Sequence, residues 1–267
     1  MKGVILAGGH GSRLYPLTKI FNKSLLPIYD KPMIYYPLQT LKQIGITEIC
    51  IVSGKEHCGQ IMNQLGSGEE YEVDITYRVQ EKPGGIAQAL SLCESFAGDE
   101  PITVCLGDNI FEDDFGNNPW QIFTTEWIDE FFDKEPKSHI FIKKVPDPER
   151  FGVPVFQGMD RHLIKIEEKP KKPMSDYAVT GLYVFDNNVW NIIRELKPSE
   201  RGELEIVDVI NWYVDRGKTG YSELEGFWSD AGTPDSLVHA NKLVSERSKD
   251  AWTIVRQNNC RTGKKRR

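Results

Sequence analysis

Apolar runs bounded by turn residues recur through the first half of the chain, at 4–7, 48–53, 102–106 and 140–142, and each reads as a buried strand. The stretches 32–44, 59–65, 85–96 and 120–132 carry apolar residues at helical spacing and read as intervening helices, with 73–79 as an extra strand. Such alternation predicts an α/β fold, a Rossmann-like and mostly parallel central sheet with helices on both faces, which gathers ligands at the carboxyl ends of its strands. After Pro146 the pattern turns β-rich and irregular. Strands are expected there at 153–156, 163–167 and 177–185, and helices return at 187–196, 205–215 and 234–248.

The sequence shows no internal repeat and no long linker, so a single domain is expected over 1–250, followed by a basic tail at 251–267. Within it, 1–145 forms one half, 146–232 a smaller β-rich half and 233–250 a closing helix. A chain of 267 residues that is 39% hydrophobic can bury a substantial core. The segment 115–138, with Trp120, Trp127, Phe131 and Phe132 among acidic residues, reads as an amphipathic helix whose aromatic face is core or a subunit contact.

Charge narrows the partners. Thirty-three basic against 39 acidic residues give a net charge of −6, which argues against a general binder of nucleic acid or anionic membrane. Any anion site must then be a local cluster of cations and backbone N–H groups. Arg256, Arg261 and the run 264–267 make a basic end, for which a solvated tail is a commoner explanation than an RNA contact. The five cysteines, Cys50, Cys58, Cys93, Cys105 and Cys260, stand singly, and the first, third and fourth of these lie in apolar runs. A reduced, cytoplasmic chain is expected. The start runs from Met-Lys-Gly straight into a strand, and no apolar stretch approaches the ~18 residues of a membrane span.

The first strand opens directly into Ala7-Gly8-Gly9-His10-Gly11-Ser12-Arg13. Glycines there let the backbone approach a phosphate with its N–H groups turned toward the anion, and Arg13 adds a planar cationic fork. A dinucleotide fingerprint needs G-x-G-x-x-G, whereas counting from Gly9 leads to Leu14 and no acidic residue closes the next strand in the expected place. A Walker A loop needs Gly-Lys-Ser/Thr, which is absent. What remains is G-G-x-G-x-R, followed by Leu14, Pro16, Thr18, Lys23, Leu25, Leu26 and Pro27.

Continued through Lys-Ser-Leu-Leu-Pro-Ile-Tyr-Asp-Lys-Pro-Met-Ile-Tyr-Tyr-Pro-Leu to position 38, this opening resembles that of bacterial and archaeal glucose-1-phosphate thymidylyltransferases. The resemblance extends through 79–80, 85–89, 106–109, 147–153, 167–170, 177–183, 197–205 and 228–232, nearly the whole chain. It implies a nucleotide-diphospho-sugar transferase fold, with the first half binding nucleotide and the second binding sugar. The implied reaction joins dTTP and glucose-1-phosphate into dTDP-glucose and pyrophosphate, with Mg²⁺ as cofactor. A uridylyltransferase, or a transferase for another hexose-1-phosphate, is the nearest rival, and a noncatalytic nucleotide-sugar-binding subunit a more distant one.

In that reaction a phosphate oxygen attacks the α-phosphorus of a triphosphate, so charge neutralisation and positioning are the main tasks and no protein nucleophile is required. Asp108 and Asp230 follow expected strands, places suited to a hard cation, although a strand-end aspartate is more often a cap or turn residue. The resemblance assigns both to the metal. It places Gly8, Gly9, Gly11, Ser12, Arg13 and Lys23 on the nucleotide, with Gln80 and the Gly85 backbone on the base, an amide offering both donor and acceptor to a pyrimidine edge.

On the sugar phosphate the resemblance places Asn109, Gly152, Glu168, Lys169, Val179, Tyr183 and Arg201. Arg13, Lys23, Asp108 and Lys169 are its catalytic residues. Taken alone, Lys169 in Glu167-Glu168-Lys169-Pro170 would be a charged turn, and Gly152, Val179 and Tyr183 core or turn residues.

Several positions depart from the family's common spelling: Ser12 for threonine, Gly84 for aspartate, Phe151 for tyrosine, and Ser229 and Ala231 beside Asp230. The chain also resembles the family's short forms, which lack further C-terminal helices. The five histidines, His10, His57, His139, His162 and His239, are single and lack zinc spacing. A symmetric homo-oligomer is the base-rate expectation.

Overall fold

The computed structural model describes residues 1–117 and 137–251. The expected helix at 120–132 and the basic tail from 252 onward lie outside them.

The chain opens with β1 (Lys2–Ala7), passes through a short antiparallel pair, β2 (Pro27–Ile28) and β3 (Lys31–Pro32), and enters helix α1 (Tyr35–Gln43). It continues as β4 (Glu48–Gly54), α2 (Cys58–Leu65), β5 (Asp74–Gln80), α3 (Ile86–Ser91), α4 (Glu94–Ala97), β6 (Ile102–Leu106) and β7 (Ile110–Phe111). The second half runs β8 (Ser138–Lys144), β9 (Gly152–Gln157), β10 (His162–Glu168), β11 (Tyr177–Phe185), α5 (Val189–Glu195) and α6 (Ile206–Val214). β12 (Thr219–Glu223), β13 (Trp228–Ser229) and α7 (Pro234–Ala251) complete it.

Seven strands make the central sheet in the order β12-β8-β11-β6-β1-β4-β5. Every neighbouring pair is parallel except those made by β11, which runs antiparallel to both β6 and β8. Helices cover both faces, so successive residues of one strand enter opposite cores. Val4 and Leu6 join one cluster with α3, α5 and α6, whereas Ile5 and Ala7 join the other with α1 and α2. Each fully buried aliphatic side chain is worth about 1.5–3 kcal/mol, which is why such strands read as plain apolar runs.

Two helices differ from expectation. The helix expected from 32 starts at Tyr35, because Lys31–Pro32 pairs with Pro27–Ile28 as a strand and the residue before a proline is held extended. The helix expected over 85–96 divides into α3 and α4. The sequence pattern also missed β2, β3, β7 and β12, whereas the strand expected before Asp230 is present as β13. Cys50 and Cys93, 43 residues apart, meet in the core as free thiols with their sulfurs 3.5 Å apart. No helix among the described residues is long and apolar enough to cross a membrane.

From β1 the chain moves outward to β4 and β5, then returns to β6 on the other side of β1. Loops leaving the carboxyl ends of β1 and β6 therefore diverge and leave a crevice between them. The β9–β10 hairpin closes over one side of it and is clamped to α6. Asn211 accepts from the Ile166 backbone N–H at 2.8 Å and donates to its carbonyl at 2.9 Å.

Candidate active site

The β1 side of the crevice is shaped by backbone. Gly11 sits in the left-handed region at φ 61°, where a Cβ would fall 2.7 Å from Thr18 Cγ2 and 3.1 Å from Lys23 Cβ. That turn starts a short 3₁₀ segment, Ser12–Leu14, which carries Arg13, 58% exposed at its side chain. Asn22 then anchors the return, donating to the Ala7 carbonyl at 3.1 Å and accepting from the Ser24 N–H at 2.7 Å. Held this way, Lys23 is only 8% exposed and bonds to the Asp108 carboxylate. Asp108 follows Gly107, whose N–H continues the sheet to the Leu6 carbonyl at 2.8 Å.

The facing side is shaped by side chains that meet across long stretches of sequence. Buried Asn109 accepts from the Gly181 N–H at 2.9 Å and the Trp228 indole at 2.6 Å, and its own amide donates to Asp108 at 2.7 Å. Asp230 follows β13 and has Arg150 at 3.3 Å and Arg13 at 3.9 Å. Arg13, Lys23 and Asp230 crowd around Gly232, where a Cβ would come within 2.7–3.2 Å of all three. Burial works to lower the Arg150 pKa, but the bond to Asp147 and the nearby charges of Asp230, Asp147 and Glu149 outweigh it and raise the value. The Phe151 ring packs edge-on against Trp228 at 5.1 Å.

Between these sides lies a cavity of about 230 Å³. Asn109, Gly152, Glu168, Lys169, Val179 and Tyr183 line it, as do Arg13, Asp108 and Asp230. Tyr183 is buried, and its pKa is driven far up, first by burial and then by the Glu168 and Asp108 charges, so its hydroxyl stays protonated. Lys169 holds a left-handed backbone at φ 46°, with its N–H on the Phe151 carbonyl at 2.9 Å and its ammonium 2.8 Å from Glu168. Isoleucine and valine side chains of α6 supply an apolar floor.

A second cavity, about 80 Å³, lies beside the loop and is lined by Gly8, Gly9, Gly54, His57 and Gln80 among others. Gly11, Ser12 and Gly85 line neither cavity. Gly85, at φ 97°, instead starts α3 with its Cα pressed against the Leu204 backbone, whose N–H bonds the Gly84 carbonyl at 2.8 Å.

Arg201 is likewise off the wall of the larger cavity. Its guanidinium is caged by Glu205 at 2.8 and 2.9 Å, Glu168 at 3.3 Å and Glu203 at 3.6 Å, and it reaches the cavity only through Glu168.

Sequence reasoning missed Arg150 and Trp228. Both lie in the resembling stretches 147–153 and 228–232, and that membership was the only signal they carried.

Among the described residues no three or more His, Cys, Asp or Glu side chains gather as a metal cage. The pair Asp108 and Asp230 nevertheless fits a hard divalent ion that keeps water and substrate phosphate as its other ligands. Both carboxylates line one cavity, and each already attracts cationic side chains, Lys23 on Asp108 and Arg150 with Arg13 on Asp230.

The nucleotidyl transferase family matches residues 2–247. A glucose-1-phosphate thymidylyltransferase from Neisseria meningitidis serogroup A is 43% identical over 91% of this chain and 82% of its own length. A Bacillus anthracis structure reported under the same enzyme description, in complex with sucrose, is 53% identical, covers 91% of this chain and 94% of its own, and superposes with a TM-score of 0.82. A UDP-glucose pyrophosphorylase complexed with UDP-glucose, 22% identical with a TM-score of 0.78 over 92% of this chain and 98% of its own, shares the fold.

Proposed function

The chain belongs to the nucleotidyl transferase family, in its glucose-1-phosphate thymidylyltransferase branch, and from that premise we propose how its residues carry out a Mg²⁺-dependent transfer of a thymidylyl group from dTTP to glucose-1-phosphate. The products are dTDP-glucose and pyrophosphate. The observation that carries this reading is the convergence of Asp108, Asp230, Arg13, Lys23 and Arg150 at the mouth of one crevice.

An oxygen of the sugar phosphate attacks the α-phosphorus in line with the departing pyrophosphate, so two anions must be brought together. Arg13 and Lys23 neutralise the triphosphate, and the loop from Gly8 to Ser12 lets it approach the backbone. Asp108 and Asp230 would hold Mg²⁺, which supplies charge stabilisation at the reacting phosphates. Glu168 accepts from sugar hydroxyls, and Lys169 bridges to the sugar phosphate. Asn109 and the protonated Tyr183 give the sugar further polar partners over the apolar floor of α6. Gln80 reads the base edge in the smaller cavity. Arg201 acts on the sugar side through Glu168.

The test is incubation of the purified protein with Mg²⁺, glucose-1-phosphate and each of dTTP, UTP, CTP, ATP and GTP, measuring pyrophosphate release and identifying the nucleotide sugar formed. Fastest formation of dTDP-glucose is expected. Preference for UTP would move the assignment to a uridylyltransferase, and silence with every nucleotide would overturn it.

A further inference from the structure

A carboxamide has nearly the same outline either way round, but turning it over exchanges donor and acceptor. In one orientation Gln80 offers an acceptor to a base N3–H and a donor to O4, which suits thymine and uracil. In the other it offers a donor to N3 and an acceptor to a 4-amino group, which suits cytosine. Gln80 alone therefore does not separate a pyrimidine dione from cytosine. Something behind it must settle its orientation.

The geometry points to Gln88 as that positioning residue, an inference that rests on Gln80 being the base contact. Gln80 ends β5 and is 7% exposed, and its Nε2 donates to Gln88 Oε1 at 2.7 Å. Its Oε1 turns the other way, toward Gly8, where only a glycine leaves room for it. That places an acceptor on the cavity side and leaves the second Nε2 hydrogen for a base oxygen.

Gln88 stands on α3, behind Gln80 and off the cavity wall. It lies beneath Gly84, where a Cβ would fall 3.0 Å from its Cγ and 3.2 Å from its Oε1, so the glycine leaves it uncrowded. With Gln88 accepting, turning Gln80 over would set two carbonyl oxygens against each other beside a buried side chain. Gln88 as an acceptor thus holds Gln80 in the dione-reading orientation and selects against cytosine nucleotides. A residue at 88 that only accepts must therefore keep the selection, and one that neither accepts nor donates must lose it.

The experiment compares wild type, Gln88→Glu and Gln88→Met in kcat/KM for dTTP, dCTP and UTP, with glucose-1-phosphate and Mg²⁺ present. In Gln88→Met the dTTP-to-dCTP ratio should fall about 5- to 10-fold, the worth of one neutral hydrogen bond. The loss should appear as a higher KM for dTTP with kcat retained at saturation. The dTTP-to-UTP ratio should not move, because those bases present the same edge. Gln88→Glu should retain or widen the dTTP-to-dCTP ratio.

A purely structural role would depress all three nucleotides together and overturn the inference, as would a Gln88→Glu enzyme that loses discrimination. A dTTP-selective wild type whose Gln88→Met variant is equally selective overturns this inference alone. A wild type that takes dCTP as readily as dTTP also overturns it, but leaves Gln80 as a base contact whose amide turns freely; the base-contact reading itself is overturned if Gln80→Leu leaves KM for dTTP unchanged.

Discussion

On the β1 side of the crevice the wall is shaped by what its residues lack, since Gly8, Gly11 and Gly107 let Gln80, Thr18 and Ser24 come closer than any Cβ would allow. On the side of β9, β13 and α6 the wall is shaped by what its residues carry: the Phe151 ring on Trp228, the Trp228 indole on Asn109, and Arg150 on Asp230. The contrast teaches how each wall tolerates change. A wall defined by absent atoms responds sharply to one added methyl. A wall of interlocking side chains can absorb an added atom wherever one edge faces the open cavity.

The largest effect should test whether the two walls hold one ion together. Asp108→Asn, on the first wall, and Asp230→Asn, on the second, should each leave the circular dichroism spectrum unchanged while lowering Mg²⁺-dependent turnover about 10³-fold, the worth of several kcal/mol of charge stabilisation. Near-normal turnover in either variant would break the pairing.

Next in size, Gly11→Ala should cost about 2–4 kcal/mol of stability, from left-handed strain together with overpacking against Thr18 and Lys23. Chemical denaturation measures it, and a change below about 0.5 kcal/mol, the size typical of a neutral surface substitution, would show that the first wall is no tighter than the second.

The smallest effect should come from Phe151→Tyr, which adds a hydroxyl to a half-buried ring at the cavity edge. Stability should shift by less than about 1 kcal/mol, and kcat/KM for glucose-1-phosphate by less than about threefold, which corresponds to under about 0.7 kcal/mol. A larger gain in kcat/KM would make this ring a determinant of which sugar is accepted.

The same contrast governs what could be read from the chain beforehand. Strands buried on both faces appear as short apolar runs, and the glycine wall is legible because a glycine string after such a run has few explanations. β12, Thr-Gly-Tyr-Ser-Glu, lies at the sheet edge with little apolar content, so its pattern is faint. The second wall left no local signal. Arg150 meets Asp230 across 80 residues of sequence, and Trp228 meets Asn109 across 119, distances at which no periodicity operates. Arg201 shows the converse: the resembling segment flagged a cation, but three neighbouring glutamates determine where it points.

The reversed strand β11 carries a consequence for how the protein comes off the ribosome. β1, β4, β5 and β6 are all complete by Leu106 and can pair as they emerge, yet β6 must wait for β11, which ends at Phe185. At ordinary rates of translation that is an interval of roughly 4–16 s. Throughout it, the β6 edge presents unpaired backbone groups beside some of the most apolar sequence in the chain, an invitation to mispairing with neighbouring nascent chains. Synthesis of positions 106 to 185 is therefore the interval in which the pace of translation bears on the yield of native protein.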